Sequence, residues 1–296
     1  MGNGTILCGE PEELLNDRTG ALRTAAGLVQ RPLPIPVDIV QALTLAAPGW
    51  ARIIADGDDI SVEPEGAGLR VRANGIDQLA DDAWEAAHWV LAGAIAARVE
   101  ATPGALVLNA GAALLADAAV VFAGESHAGK SSVALHLAAS GVPLLGDDRL
   151  ILGTETDLPT AAGLGLARKV RTPLPDDFSE SACRLAAGTR AGHGGGADVL
   201  AWDPAIDRPA GTTAAIARIV LLRRDPEVRA PRLVGLGAAE AVARLLPLCG
   251  RHAGSAVALL ESVTRLVRSV PVLRLEAPNA ATAAECLIDG SGAGSS

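Results

Sequence analysis

Lysine is nearly absent from this sequence, although basic residues are not. Of the 25 basic residues in the 296-residue chain, only Lys130 and Lys169 are lysines, and the rest are arginines. In a chain that uses arginine elsewhere, a retained lysine indicates a position that favours a compact ammonium over a planar guanidinium. Tyrosine is absent and phenylalanine occurs twice, so aromatic stacking on nucleic-acid bases is poorly supplied. Together with a net charge of −9, these absences argue against a general affinity for nucleic acid or for an anionic membrane.

Paired cysteines and long apolar runs are missing as well. The four cysteines are far apart in the sequence and none has C-x-x-C spacing, so no zinc or redox motif is indicated. The longest apolar stretch, residues 110–123, is interrupted by Asp117 and falls short of the ~18–20 residues of a membrane span. The N-terminus lacks the basic and apolar segments of a signal peptide. We therefore expect a cytoplasmic protein with reduced thiols and no membrane segment.

The most informative pattern present is a complete G-x-x-x-x-G-K-S phosphate-binding loop between a predicted strand, Ala118–Ala123, and a predicted helix, Lys130–Ser140. Its glycines let backbone N–H groups converge on an anion, and the helix N-terminus adds a partial positive charge. Lys130 can reach the β- and γ-phosphates of a nucleotide, and Ser131 can hold Mg²⁺. A glycine-rich turn that binds nothing is the alternative. The predicted nucleotide-binding residues are Gly124, Glu125, Ser126, His127, Ala128, Gly129, Lys130, Ser131 and Ser132.

A pair of acidic residues stands at a fixed distance from this loop. Asp147 and Asp148 follow Lys130 by 17 and 18 residues, directly after a predicted short strand over 142–145. In a strand–loop–helix–strand unit, this spacing brings the pair to the same sheet edge as the phosphate loop. One carboxylate can then organise magnesium while the other accepts a proton from an attacking hydroxyl. An acidic surface turn is the alternative interpretation.

The second lysine lies in a basic cluster formed by Arg168, Lys169 and Arg171. A solvated basic face is one interpretation of such a cluster. The other is a clamp on the phosphates of a nucleotide or on an acidic peptide. His127, at a variable position of the loop motif, is expected to point to solvent, although it could touch a phosphate or a substrate.

Residues 105–152 resemble the catalytic domain of HPr kinase/phosphorylase, a bacterial serine kinase whose core is related to phosphoenolpyruvate carboxykinase. The loop of that family reads G-D-S-G-x-G-K-S, from which this chain differs at Glu125 and His127, and its D-D pair also follows a short apolar strand. The resemblance implies an α/β fold with such a core, preceded by a smaller α+β region. It further implies that the loop binds ATP, that Ser131 and Asp147 hold Mg²⁺, that Asp148 is the catalytic base, and that the chain self-associates.

Two family positions carry other residues here. Asn109 stands where the family has a catalytic histidine, and Thr160 stands where it has a metal-binding glutamate. The chain is more similar to divergent HPr-kinase-related proteins found with peptide-modifying gene sets, some of which phosphorylate a hydroxyl on a small precursor peptide. Three functions stay open: a kinase acting on a Ser or Thr hydroxyl of a peptide or protein, an ATP-binding regulatory protein with reduced catalysis, and a small-molecule kinase.

The sequence predicts three segments. Residues 1–100 form an α+β region for substrate or partner recognition, residues 101–290 form the ATP-binding catalytic domain, and residues 291–296 form a disordered tail. Short strands are expected within 51–73, a helix over Asp81–Val99, and a buried strand over Ile216–Leu222. A short helix is expected over residues 11–16. Two stretches are interpreted as irregular: Gly111–Asp117 as a connection and Gly192–Gly196 as a turn.

Overall fold

The computed structural model describes residues 15–16, 22–23, 37–48, 60–194 and 196–290. The chain divides into two compact units, the first comprising residues 1–44 and 50–94 and the second residues 45–49 and 95–296. The sequence places the boundary at residue 100, whereas the structure divides the chain at residue 94, inside a helix. The seven α-helices of the described residues are α1 (Val37–Ala46), α2 (Ala83–Glu100), α3 (Lys130–Ala139), α4 (Glu180–Gly188), α5 (Ala238–Leu245), α6 (Ala256–Ser269) and α7 (Ala280–Asp289).

Eighteen strands are defined within the described residues. The first nine are β1 (Leu15–Asn16), β2 (Leu22–Arg23), β3 (Ile60–Glu65), β4 (Gly68–Ala73), β5 (Ile76–Ala80), β6 (Leu106–Leu108), β7 (Ala110–Leu115), β8 (Ala118–Ala123) and β9 (Leu144–Gly146). The others are β10 (Leu150–Gly153), β11 (Thr160–Gly163), β12 (Lys169–Val170), β13 (Arg190–Gly194), β14 (Ala197–Leu200), β15 (Thr213–Arg224), β16 (Arg232–Gly235), β17 (Cys249–His252) and β18 (Val272–Ala277).

In the first unit, β3, β4 and β5 form an antiparallel meander. The helix α2 approaches this sheet closely at Gly93, where an added Cβ would lie 2.4 Å from the Cβ of Ala73. Glycine is therefore needed at this position for space rather than for an unusual backbone angle. The short helix expected over residues 11–16 lies outside the described residues except at Leu15–Asn16, which form β1. The strand expected near residues 52–55 also lies outside them.

The second unit is built on a ten-stranded mixed sheet. Eight strands follow the order β17-β6-β10-β11-β15-β8-β7-β9, while β18 pairs with β15 and β16 pairs with β18. Apolar side chains alternate along β8, so that Val121 and Ala123 face one layer and Val120 and Phe122 the other. The helices α5 and α6 contribute to the first layer, and α3 and α7 to the second. This mixed α/β architecture confirms the predicted fold class at that level.

Strand directions place several chain segments at one edge of this sheet. The strands β8 and β15 are parallel, whereas β7 is antiparallel to both of its neighbours, β8 and β9. The strands β8, β9 and β15 therefore run in the same direction, opposite to β7. Their carboxyl ends lie at the same edge as the amino end of β7, and this edge carries the candidate site.

Two stretches that were predicted to be irregular are strands. The predicted connection Gly111–Asp117 forms most of β7, which is paired on both sides. An added Cβ at Gly111 would lie 2.2 Å from the ring of Phe122, so this glycine makes room for a buried aromatic. The predicted turn Gly192–Gly196 overlaps β13, which pairs with β14. Both predictions were wrong because neighbouring strands supply pairing that a run of alanine and glycine does not signal locally.

No helix in the described part of the chain is long and apolar enough to cross a membrane.

Candidate functional site

The edge of the sheet in the second unit gathers three predicted site segments. The phosphate loop follows β8, the acidic pair Asp147-Asp148 follows β9, and Asn109 directly precedes β7. These segments are separated by up to 39 positions in sequence, and the strand directions described above bring them to one edge. The strand before the loop and the helix after it, both required for a phosphate-binding loop, are present as β8 and α3.

The two loop glycines are required for different reasons. Gly129 has a φ of 93° and is the residue before α3, a backbone conformation that side chains with a Cβ rarely adopt. Gly124 has an ordinary conformation, but an added Cβ would lie 2.7 Å from the Cβ of Ala128 and 3.3 Å from the carbonyl oxygen of Leu222. Gly129 therefore supports the turn into the helix, and Gly124 gives the loop room beside β15.

The side chain of Lys130 is hydrogen-bonded to its own loop. Its Nζ donates to the carbonyl oxygen of Gly124 at 2.8 Å and to that of Glu125 at 3.0 Å. Burial lowers the pKa of the ammonium group, and the negative charge of Asp148 acts in the opposite direction. The side chain therefore holds its charge within the loop by hydrogen bonds to neutral carbonyls, which phosphate oxygens can replace.

His127 adopts a left-handed backbone conformation with a φ of 68°. The loop pattern to which the sequence was likened has glycine at this position, and the positive φ is a physical reason for that preference. The ring Nδ1 of His127 lies 3.2 Å from Nη1 of Arg171, a member of the basic cluster. The sequence indicated both residues as candidates, but it gave no sign that they contact each other.

Asp147 is buried, with 3% of its surface exposed. Burial raises the pKa of its carboxyl to about 7 and the charge of Asp148 contributes to the rise, whereas the backbone N–H of Lys169 and the charges of Arg168 and Lys169 act against it. Among the residues that the structure describes, none is a hydrogen-bond partner of the Oδ1 atom of Asp147. A buried carboxylate oxygen without a partner is costly unless a cation or a donor compensates it.

Asp148 differs from its neighbour in exposure, since 52% of its side chain is accessible to solvent. Its charge raises the pKa of both lysines of the chain, Lys130 and Lys169, against the lowering effect of burial on each. It also lies 3.5 Å from Nε of Arg149. The two carboxylates therefore divide into a buried one and an exposed one that is surrounded by positive charge, which suits two different chemical roles.

Arg168 has a structural role that the basic cluster did not reveal. Its guanidinium is buried and makes two hydrogen bonds to Asp207, from Nε to Oδ1 at 2.9 Å and from Nη2 to Oδ2 at 3.2 Å. Asp207, which is itself buried, also accepts a hydrogen bond from the backbone N–H of Asp203. The charge of Arg168 is thus compensated inside the protein, whereas Arg171 extends to the phosphate loop.

Asn109 and Thr160, at the two altered family positions, lie in different places. Asn109 is exposed, its backbone N–H donates to the carbonyl oxygen of Leu248, and it follows Leu108, which pairs with Leu150 at the start of β10. It therefore lies at the site edge. Thr160 pairs with Gly153 at the far end of β10, about 10 Å along the strand from Leu150 at ~3.4 Å per residue. Thr160 is thus displaced from the edge that carries the loop.

Gly163, outside the predicted site residues, shapes the same edge. Gly163 lies at the end of β11, and an added Cβ there would be 2.4 Å from the carbonyl oxygen of Leu145, two residues before Asp147. The G-L-G run at 163–165 was a visible signal for such a close approach. In the described part of the chain, no group of three or more His, Cys, Asp or Glu side chains is arranged to hold a metal ion.

Comparisons with known proteins give a distant similarity in structure and none in sequence. No protein-family model matches the chain, and no curated protein matches its sequence. Among solved structures, the HPr(Ser) kinase/phosphatase from Coxiella burnetii is similar with a TM-score of 0.34 and 12% sequence identity, over 62% of this chain and 94% of that chain.

Proposed function

We propose that this protein is an ATP-dependent kinase that transfers the γ-phosphate to a Ser or Thr hydroxyl of a peptide or protein. The observation that carries the proposal is the placement of a complete phosphate loop and two unlike carboxylates at one sheet edge, with the charge of Asp148 acting on Lys130. A glycine-rich turn that binds no ligand would not need Lys130, whose ammonium group is bonded to loop carbonyls. Nor would it need the buried carboxyl of Asp147 at the same sheet edge. A cytoplasmic location and self-association belong to the same proposal and rest on the sequence.

The nucleotide half of the site is the loop from Gly124 to Ser132. Its backbone N–H groups and the N-terminus of α3 suit an oxyanion, and the ammonium of Lys130 supplies a full positive charge. On binding, Lys130 would exchange the carbonyl oxygens of Gly124 and Glu125 for oxygens of the β- and γ-phosphates. This exchange retains the hydrogen bonds of the ammonium group while adding an opposite charge, which strengthens them.

The residues present also fit a magnesium ion. Ser131 and Asp147 would hold it, and the unpartnered, buried Oδ1 of Asp147 is the feature that suits an oxygen-seeking cation. When bound, Mg²⁺ neutralises charge on the β- and γ-phosphates. A carboxyl whose pKa is about 7 is only partly ionised near neutral pH, so a neighbouring cation would favour its ionised form.

Asp148 would act as the general base. The proton of the acceptor hydroxyl passes to its carboxylate, the hydroxyl oxygen forms a bond to the γ-phosphorus, and the bond between that phosphorus and the bridging oxygen breaks to release ADP. Exposure of Asp148 leaves it accessible to an incoming peptide, as a group that accepts the proton of an acceptor hydroxyl must be.

The proposal is tested by transfer of a labelled γ-phosphate from Mg·ATP to libraries of Ser- and Thr-containing peptides. Wild type should label peptides on hydroxyl groups, and Asp148→Asn should transfer about 10²–10⁴-fold more slowly while binding ATP with similar affinity. Binding of ATP without transfer to peptides, proteins, sugars or other alcohols would instead favour an ATP-binding regulatory protein, the alternative to which Asn109 points. Transfer to alcohols or sugars alone would identify a small-molecule kinase.

A further inference from the structure

We infer that Arg171 is a catalytic arginine that binds the γ-phosphate, and that His127 is the positioning residue that holds it beside the loop. The inference rests on the proposed function, because it assigns a role within the same nucleotide site. It starts from the 3.2 Å contact between Nη1 of Arg171 and Nδ1 of His127.

The chemistry of this contact defines which atom donates. A guanidinium carries only donors, so Nδ1 of His127 must accept, and the proton of the neutral ring is then on Nε2. A charged donor is thereby tied to the phosphate loop through one of its five N–H groups, and the remaining groups stay available to other acceptors. The side chain that holds it belongs to a residue with a φ of 68°, a left-handed conformation that is uncommon for residues other than glycine.

The strand β12 explains why Arg171 reaches the phosphate loop while Arg168, in the same basic cluster, does not. Side chains alternate along an extended chain, so residues 169 and 171 share one side and Val170 the other. The backbone N–H of Lys169 donates to Asp147, so β12 lies beside the acidic pair. The charges of Asp148 and Asp147 act on the side chain of Lys169, so this side of the chain faces the site. Val170 packs instead with Leu135 and Ala182. Arg171 thus extends from the acidic pair towards the loop.

A cation at this position has a defined use. Lys130 is attached to α3 at the end of the loop, whereas Arg171 approaches from another strand and contacts the middle of the loop. A planar guanidinium can bind two phosphate oxygens at once, and such a group stabilises the charge that develops on a phosphoryl group in transfer. Lysine cannot supply this geometry.

His127 would keep the arginine ordered. A long arginine side chain loses rotamer freedom when it binds a ligand, and a hydrogen bond that already restrains it reduces that loss. Residue 127 carries an imidazole on a left-handed backbone, whereas the loop pattern G-D-S-G-x-G-K-S has glycine, and so no side chain, at this position. The pair is therefore a departure from that pattern that adds a second cation to the nucleotide site.

The test compares equilibrium binding of ADP with that of a β,γ-imido analogue of ATP to the full-length protein, because only the analogue carries a γ-phosphate. Arg171→Ala should lower the affinity for the analogue about tenfold or more, as expected for a lost charged hydrogen bond, and leave the affinity for ADP nearly unchanged. Arg171→Lys should restore only part of the loss. Arg184→Ala is the matched control, because Arg184 is an exposed arginine on α4 that pairs with Glu180 in its own helix, and this change should alter neither affinity.

The role of His127 has its own variants. His127→Gly relieves the positive φ, so the protein should fold at least as well, but the preference for the analogue over ADP should fall about two- to tenfold. His127→Asn should recover part of that preference, since asparagine tolerates this conformation and offers an acceptor oxygen.

Three results would overturn the inference. Equal losses of affinity for the analogue and for ADP in Arg171→Ala, or no loss of either affinity, would show that Arg171 does not bind the γ-phosphate. An unchanged preference in His127→Gly would remove the positioning role. Failure of wild type to bind either nucleotide would overturn the proposed function together with this inference. The two failures are distinguishable, because the first is seen in wild type and the second only by comparing the variants at residues 127 and 171 with it.

Discussion

The Nζ atom of Lys130 donates a hydrogen bond of 2.8 Å to the carbonyl oxygen of Gly124, the first residue of the same phosphate loop. The loop therefore carries its own acceptors for the lysine, and under the proposed function a nucleotide would displace them. This arrangement fits the role proposed for Lys130 in phosphate binding, because the partners of its ammonium group are carbonyl oxygens of the loop.

The first prediction concerns Lys130 itself. Lys130→Ala should weaken ATP binding by about 10–100-fold, since it removes a charged donor to phosphate, and should leave the thermal unfolding of the protein nearly unchanged. Lys130→Arg should not restore affinity, because a planar guanidinium does not fit where a compact ammonium is held. Isothermal titration with Mg·ATP measures both variants. Full affinity in the alanine variant would contradict the assigned role.

The two glycines of the loop should respond differently to alanine. Gly129→Ala should lower the unfolding free energy by about 1–2 kcal/mol, because its φ of 93° is unfavourable for a residue with a Cβ although no atom of a described residue outside its own chain neighbours lies within 4 Å of that Cβ. Gly124→Ala should impair nucleotide affinity more than stability, since the methyl group displaces the loop from Ala128. Urea unfolding and nucleotide titration of both variants separate the two effects, and Gly141→Ala serves as a positive-φ control outside the loop.

Asp147 should make stability depend on pH. Its pKa is raised in the folded protein from 3.8 to about 7, so the folded state holds this proton more tightly than the unfolded state does. The stability this provides is present below pH 4 and is lost as pH rises to about 7, by at most about 4 kcal/mol. Asp147→Asn should abolish that part of the decline.

Denaturant unfolding at pH 5 and pH 8, without nucleotide or metal, measures this change. Asp147→Asn should be more stable than wild type at pH 8 and less different from it at pH 5. The matched control is Asp157→Asn, because Asp157 is exposed in the connection between β10 and β11 and should leave the pH dependence unchanged. An identical pH profile in wild type and Asp147→Asn would show that Asp147 is ionised at little cost in the folded protein.

The buried ion pair between Arg168 and Asp207 should contribute to folding and not directly to binding. Arg168→Ala leaves a buried carboxylate without its partner and should lower the unfolding free energy by about 3–5 kcal/mol. The control is Arg190→Ala, which breaks an ion pair with Asp198 whose arginine is 58% exposed, and which should cost about 1 kcal/mol or less. Comparable losses in the two variants would contradict a structural role specific to Arg168.

The parts of the site that follow from local pattern could be predicted from the sequence. The phosphate loop has a fixed spacing, and the strand and helix beside it are apolar enough to identify. The placement of Asp147-Asp148 at the same edge follows from one short unit whose strands run in the same direction. The assignment of this edge to a nucleotide and a metal stays a prediction, as does the family resemblance.

Other features depend on contacts between distant parts of the chain. Arg168 and Arg171 look alike in the sequence, but one pairs with Asp207, 39 residues later, and the other meets the phosphate loop, 44 residues earlier. The hydrogen bond from the backbone of Lys169 to the buried Asp147 depends in the same way on β12, a strand of two residues with little signal of its own. The strand β7 was missed because its alanines and its single glycine have weak strand propensity, and pairing with β8 and β9 determines its conformation.

The most direct test of the account is transfer of the γ-phosphate of Mg·ATP to Ser- and Thr-containing peptides by wild type and by Asp148→Asn, with peptide phosphorylation measured by mass spectrometry. The account predicts hydroxyl-linked phosphate on peptide in wild type and a loss of about 10²–10⁴-fold in the variant, with ATP affinity retained. Transfer at the same rate in Asp148→Asn, or ATP binding that is insensitive to Lys130→Ala, would contradict it.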